Sequence, residues 1–153
     1  MTTLEPAAIM SLARDAAVAA AEQGDAPIGA VLVDTANGRI VATAGNRVER
    51  DGDPTAHAEM LAIRTGAAVL GAKRLPYCDL YVTLEPCAMC AQAIAHARIR
   101  RLYFGAYDAK GGGVDHGARI FGQPTCHHRP EVVGGLLERE CGDLLRAFFA
   151  ARR

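Results

Sequence analysis

His57, Glu59, Cys87 and Cys90 are the residues of this chain whose types and spacing point most directly to chemistry. They stand in two stretches, Pro54-Thr55-Ala56-His57-Ala58-Glu59 and Thr83-Leu84-Glu85-Pro86-Cys87-Ala88-Met89-Cys90. Proline at a first helical position gives up only an N–H that would be unbonded anyway, so Pro86 is expected to open a helix with Cys87 and Cys90 in its first turn. An i, i+3 pair lies on one helix face. Two Zn–S bonds of ~2.3 Å at a tetrahedral angle need sulfurs ~3.8 Å apart, which such a turn supplies. The positive end of the helix dipole also favours thiolate over thiol. His57 offers a third donor. Glu59, two places further on, does not share its helical face. It is placed to flank a metal-bound water and move protons, not to ligate.

Zinc held by two thiolates and a neutral imidazole has a formal site charge near zero. Bringing the pKa of water from 15.7 to about 7 takes ~12 kcal/mol, and a near-neutral site supplies only part of that. A carboxylate base such as Glu59 supplies the rest by taking the water proton and passing it on. Hydrolytic loss of ammonia from an aromatic amidine needs this pairing. Two other readings of Cys87 and Cys90 stand beside it. One is a closed structural zinc knot with a fourth ligand from Cys126, His127 or His128. The other is a redox dithiol. His57-Ala58-Glu59 favours the catalytic metal.

At 153 residues the chain is expected to be one domain, 1–153, large enough for a proper core. Half the residues are hydrophobic and 22% are charged, the composition of a globular protein. No apolar run approaches the ~20 residues that span a bilayer, so no membrane partner is expected. The alanine-rich start is broken by Glu5, Arg14, Asp15 and Glu22 and lacks a basic head, unlike a signal peptide. Five cysteines without an export signal imply a reducing, cytoplasmic setting. Cys78 and Cys141 read as small buried hydrophobes. With 17 basic and 17 acidic residues, bulk charge announces no nucleic acid, and any such face is a local patch.

The elements that must position these residues follow from periodicity. Glu5-Pro6 starts an amphipathic helix with Ile9, Leu12, Ala13, Ala16, Ala19 and Ala20 inward, ended by Gly24. Ile28 to Val33 is an apolar strand, Asn37-Gly38 a hairpin turn, and Arg39 to Gly45 the returning antiparallel strand. A polar loop, Asn46 to Pro54, leads to a helix from Thr55 to Leu70 with Met60, Ile63, Ala67 and Leu70 on one face. Leu80 to Thr83 is a short strand, the Pro86 helix runs to Ala97, and Ile99 to Gly105 is a fourth strand. Strands alternating with helices imply crossovers and parallel pairing. Ala106 to Pro130 is long and glycine-rich, a length usual for functional or mobile loops. It carries His116, His127 and His128, whereas His96 reads as a surface helix residue. A brief fifth strand, Glu131 to Val133, and a closing helix, Leu136 to Arg152, complete an α/β pattern of a mixed sheet layered between helices.

His57-Ala58-Glu59 with Pro86-Cys87-Ala88-Met89-Cys90 resembles the known signature of the zinc-dependent cytidine and nucleobase deaminases. More closely, Pro27-Ile28-Gly29-Ala30-Val31, Gly45-Asn46-Arg47, Asp53 to Glu59, Tyr81 to Cys87, Phe104-Gly105-Ala106-Tyr107-Asp108-Ala109-Lys110 and Phe148-Phe149 resemble the bacterial tRNA-specific adenosine deaminases. The resemblance implies a cytidine-deaminase-like three-layer sandwich, with a five-stranded mixed sheet between helices. It implies Zn2+, a homodimer, and conversion of adenosine to inosine at the wobble position of a tRNA anticodon stem-loop. It also assigns site residues: Asn46 hydrogen-bonds the nucleobase, Ala58, Leu84 and Pro86 line the pocket, and Phe148 brings the last helix near substrate. Asp108 falls beside the substrate backbone, where it could accept a bond from a ribose 2′-hydroxyl. Capping of the Lys110 turn is its other reading. Tyr107, the segment Gly113 to Gly117, and an end at Arg152-Arg153 without a basic tail depart from the usual family pattern. Deamination of a free base or nucleoside of guanine or cytosine type therefore remains an alternative, as does a non-catalytic RNA-binding protein with structural zinc.

Overall fold

A computed structural model of the chain describes residues 4–152. Helix α1 (Pro6–Glu22) precedes a hairpin of β1 (Gly29–Asp34) and β2 (Arg39–Gly45). A single turn, α2 (Val48–Asp51), interrupts the polar loop that was expected to be irregular. Then come α3 (Ala58–Leu70), β3 (Cys78–Leu84), α4 (Ala88–His96), β4 (Arg101–Ala106), β5 (Glu131–Val133) and α5 (Glu138–Ala150). The strands form one five-stranded sheet in the order β2-β1-β3-β4-β5. β1 runs antiparallel to β2 and β3, while β3, β4 and β5 are mutually parallel neighbours, so the expected mixed sheet is present.

Period-2 alternation sorts the strand side chains onto two faces. Leu32, Leu80, Val82, Leu102 and Phe104 pack with Ala58, Ala62, Ala91 and Ile94 of α3 and α4. Val31, Val33, Tyr81 and Tyr103 point the other way, against Ile9, Met10 and Ala13 of α1 and Cys141 of α5. The result is three layers, two helices on each side of the sheet. Among the described residues no helix is long and apolar enough to cross a membrane.

Two helix faces differ from expectation. α1 buries Ile9, Met10, Ala13, Ala17 and Ala20, while Leu12 and Ala19 are exposed. α3 buries Ala58, Glu59, Ala62 and Gly66 and leaves Leu70 exposed, with Met60, Ile63 and Ala67 only half-buried. The reason is close approach: a Cβ at Gly66 would run into Leu32 Cδ2, so the smallest side chains face the sheet. Volume, not hydrophobicity alone, selects the inward stripe. α3 starts after His57, not at Thr55, and α4 after Cys87, so Pro86 lies just outside its helix.

Candidate active site

His57 and Cys87 are the residues immediately preceding α3 and α4, each in extended conformation and neither using its side chain to cap its helix. Two helix N-termini thus converge on one point, with their partial positive charge directed at the sulfurs. Cys90 lies one turn into α4 and is fully buried. His57 Nδ1 is 3.6 Å from Cys87 Sγ and 3.5 Å from Cys90 Sγ. A tetrahedral centre with Zn–S of ~2.3 Å and Zn–N of ~2.0–2.1 Å requires an S···N separation of ~3.5–3.6 Å. The donor set therefore fits zinc, with all three ligand atoms within 4.8 Å of one another. A redox dithiol has no use for an imidazole nitrogen equidistant from both sulfurs.

No fourth Cys, His, Asp or Glu joins the group among the described residues. Cys126 Sγ instead donates to the His128 carbonyl at 3.1 Å, and His128 Nε2 to the Ile99 carbonyl at 2.6 Å. His127 is exposed. The closed zinc knot lacks its extra ligand.

Hydrogen bonding between the sulfurs divides their acidities. Donation from Cys90 brings the Cys87 thiol down to about 4 against the cost of burial, helped by His57. The same bond, with burial, pushes Cys90 upward. Cys87, Cys90 and His57 would hold a dication in place of that shared proton. Glu59 is buried at 4% exposure beside this pair. Burial pushes its carboxyl up to about 7, partly offset by its own backbone N–H. A cation held at His57, Cys87 and Cys90 would pull it down again by Coulomb attraction.

Asn46, directly after β2, is buried, and its Oδ1 accepts the Ala58 backbone N–H at 2.9 Å. It therefore caps α3 in place of His57, and its amide NH₂ remains as a donor. Pro86 is buried and its carbonyl accepts the Gly113 N–H at 2.7 Å. Leu84 and Asp108 line an open groove of about 230 Å3 together with Tyr107, Leu145 and Phe149. Phe148 is half-buried and lines a neighbouring groove with Ala26, Glu49 and Arg50, and Phe149 lines both that groove and the one that contains Asp108. Asp108 Oδ1 accepts from Lys110 N at 3.1 Å and Gly111 N at 2.9 Å, the turn-capping role. A larger cleft of about 450 Å3, lined by Ile9, Tyr81, Arg100 and Tyr103, opens at the opposite end of the strands and holds none of these residues.

Sequence reasoning gave no role to Glu85. Its carboxylate is buried and accepts the backbone N–H groups of Asp108, Val114, Asp115 and His116 together with His116 Nδ1. Burial alone pushes this carboxyl up, yet the Asp108 N–H, the His116 ring and the Asp115 and Val114 N–H groups outweigh it and hold it below its ordinary value. The start of the long loop is therefore fastened to the motif. The available signal was an acidic residue at the end of an apolar strand, followed by Gly111-Gly112-Gly113.

Residues 5–106 match the model of the cytidine and deoxycytidylate deaminase zinc-binding region. The tRNA-specific adenosine deaminase of Agrobacterium fabrum is 56% identical over 144 residues, 94% of this chain and 93% of that one. A solved structure from work on A-to-I editing by tRNA:A34 deaminases at the wobble position of transfer RNA superposes with a TM-score of 0.87. It shares 55% identity and is covered to 99%, against 90% of this chain. Guanine deaminase from Nitrosomonas europaea superposes with a TM-score of 0.84 at 25% identity, over 97% of this chain and 87% of its own. The matched span carries His57, Glu59, Cys87 and Cys90 at the geometry a zinc centre needs, and by that match the chain belongs to the cytidine and deoxycytidylate deaminase zinc-binding family.

Proposed function

We propose that the protein hydrolytically deaminates adenosine to inosine in tRNA, at the wobble position of the anticodon stem-loop, and works as a homodimer. The observation that carries the substrate is the 56% identity to a tRNA-specific adenosine deaminase, spread over 94% of the chain. The guanine deaminase shares the fold at less than half that identity. A second copy fits the need for surface, since one small domain offers little area around one pocket to an RNA loop.

Zinc held by His57, Cys87 and Cys90 supplies Lewis-acid activation of water. Glu59 accepts the proton of the attacking water on a carboxylate oxygen. It delivers that proton to the purine nitrogen next to the carbon under attack, then takes the proton of the hydroxyl now on that carbon and passes it to the departing amino group as the carbonyl forms. Water and adenosine are thus converted to inosine and ammonia. Burial raises the pKa of this carboxyl and a bound cation would lower it, opposing influences that suit a group which both takes and returns a proton. Asn46, its oxygen engaged by Ala58, presents only N–H donors and so reads acceptor atoms on the base. Ala58, Leu84 and Pro86 bound the base, Phe148 and Phe149 lie along the RNA, and the Asp108 carboxylate receives a ribose 2′-hydroxyl.

The test follows ammonia release from an adenosine-containing anticodon stem-loop, free adenosine, guanine and cytidine, with sedimentation of the active species. Release from the stem-loop alone, by a dimer, is expected. Turnover of guanine without turnover of the stem-loop would move the substrate assignment to a free base.

A further inference from the structure

Glu85 lies at the junction of β3 and the turn that carries Cys87, and its side chain is sealed from solvent. Oε1 accepts Asp108 N at 3.0 Å and His116 Nδ1 at 2.8 Å. Oε2 accepts Val114 N at 3.2 Å, Asp115 N at 2.9 Å and His116 N at 3.1 Å. All of these donors belong to residues 108–116. The same segment closes on itself through Gly112 N to the Asp108 carbonyl at 2.9 Å, and reaches back to the metal turn through Gly113 N and the Pro86 carbonyl. A Cβ at Gly112 would collide with Glu85 Oε2 and the Asp108 carbonyl, and one at Gly113 would sit 2.5 Å from Ala88 N. The glycines are required by contact, not by turn geometry.

One buried anion therefore gathers the donors of a segment that has no secondary structure of its own, and converts it into a fixed wall. We propose that Glu85 is a positioning residue for the substrate: it sets where Asp108 stands relative to the metal turn, and so where the ribose-phosphate backbone of the RNA is received. This rests on the RNA reading of the site. A glutamine has the same shape but turns an NH₂ toward N–H donors, so at least one oxygen's bonds become donor against donor.

The variants are Glu85→Gln and Gly112→Ala, the second keeping the carboxylate's charge while pressing a methyl between Glu85 Oε2 and the Asp108 carbonyl, so that the segment must shift. Each is measured for zinc content, kcat and KM on the anticodon stem-loop, and amide hydrogen exchange at Asp108, Val114, Asp115 and His116. Both should keep one zinc per chain and a kcat within about threefold of wild type. KM should rise by about tenfold or more, as loss of charge-assisted bonds implies, with faster exchange at those four amides. An unchanged KM with lower kcat or lost zinc would make Glu85 a structural residue of the metal turn and overturn the proposal. So would a folded Gly112→Ala enzyme with faster exchange and a normal KM. If wild type fails to deaminate the stem-loop, the RNA reading fails. Exchange in Glu85→Gln then still decides whether Glu85 holds the segment, and unchanged protection overturns that too.

Discussion

Asn46 is expected to do two separable things, and two substitutions separate them. Its Oδ1 accepts the N–H of Ala58, the first helical residue of α3, at 2.9 Å, with Asn46 6% exposed and Ala58 wholly buried. In Asn46→Ala that N–H loses its partner without gaining water, at a cost of ~1–3 kcal/mol. For a chain of this length each kcal/mol moves Tm by roughly 2–4 °C, so the melting point should fall by about 2–12 °C. Because His57 immediately precedes α3 and Glu59 lies in its first turn, activity should fall as well. Asn46→Asp keeps an acceptor for Ala58, at a helix N-terminus that favours negative charge. Its Tm should drop by less than half as much as that of the alanine variant. It lacks the amide NH₂, however, and deamination of the stem-loop should fall by about a hundredfold, the scale of a lost hydrogen bond that leaves a buried partner unpaired. The measurements are calorimetric melting and single-turnover deamination on both variants. A wild-type Tm for Asn46→Ala would refute the capping role. Activity of Asn46→Asp within about threefold of wild type would refute the amide as reader of the base.

Glu59→Ala should retain one zinc per chain and its fold yet lose ~10²–10⁴ in kcat, whereas Cys87→Ala should lose metal. A Glu59→Ala rate above roughly a tenth of wild type would show that proton transfer is assigned to the wrong group. Asp108→Asn keeps the turn-capping oxygen but weakens the bond to a 2′-hydroxyl. The preference for an RNA over a DNA anticodon loop should narrow by about ten- to a hundredfold, since charge-assisted bonds contribute ~1.5–3 kcal/mol, and an unchanged ratio leaves Asp108 a turn residue. Burial pushes the thiols of Cys78 and Cys141 from 9.0 to about 11. Their contribution to stability is full below pH ~9 and lost as pH rises toward ~11, at most about 3 kcal/mol each. Urea unfolding from pH 8 to 11 should therefore fall less steeply for Cys78→Ala/Cys141→Ala than for wild type, and parallel profiles would refute this account.

The metal triad was legible because ligand chemistry is local: a Cys-x-x-Cys turn and one His-x-Glu name their own roles, and the two stretches met as expected. The alternation of strands with helices along the chain implied the mixed sheet layered between helices, which the structure shows. Helix starts were read three residues early at α3 and two early at α4, because sequence cues to a helix start look for capping side chains or proline. Here the capping positions carry His57 and Cys87, whose side chains turn to the metal site. The inward face of α3 was misread because Ala58, Ala62 and Gly66 carry little hydrophobic signal, and only the distance to Leu32 makes them the packing stripe. Glu85 escaped for a different reason. Its partners lie 23 to 31 residues away and are mostly backbone N–H groups, which have no residue type to recognise.

Both supporting residues meet a requirement set far away in the chain: Asn46 accepts the N–H of Ala58 that His57 leaves uncapped, and Glu85 accepts the donors of residues 108–116. Thr83 does the same between strands, its buried Oγ1 accepting Gly29 N at 3.1 Å where a Cβ at Gly29 would strike α1. Supporting residues of this kind are satisfied and stabilising, so their loss should reduce stability and activity together. Glu59 is the opposite case. Burial alone raises its pKa and favours the neutral acid, while a cation held at His57, Cys87 and Cys90 would favour the carboxylate. A group poised between these two influences is suited to taking and returning a proton. Loss of Asn46 or Thr83 should therefore lower Tm, whereas loss of Glu59 should lower kcat with little loss of Tm.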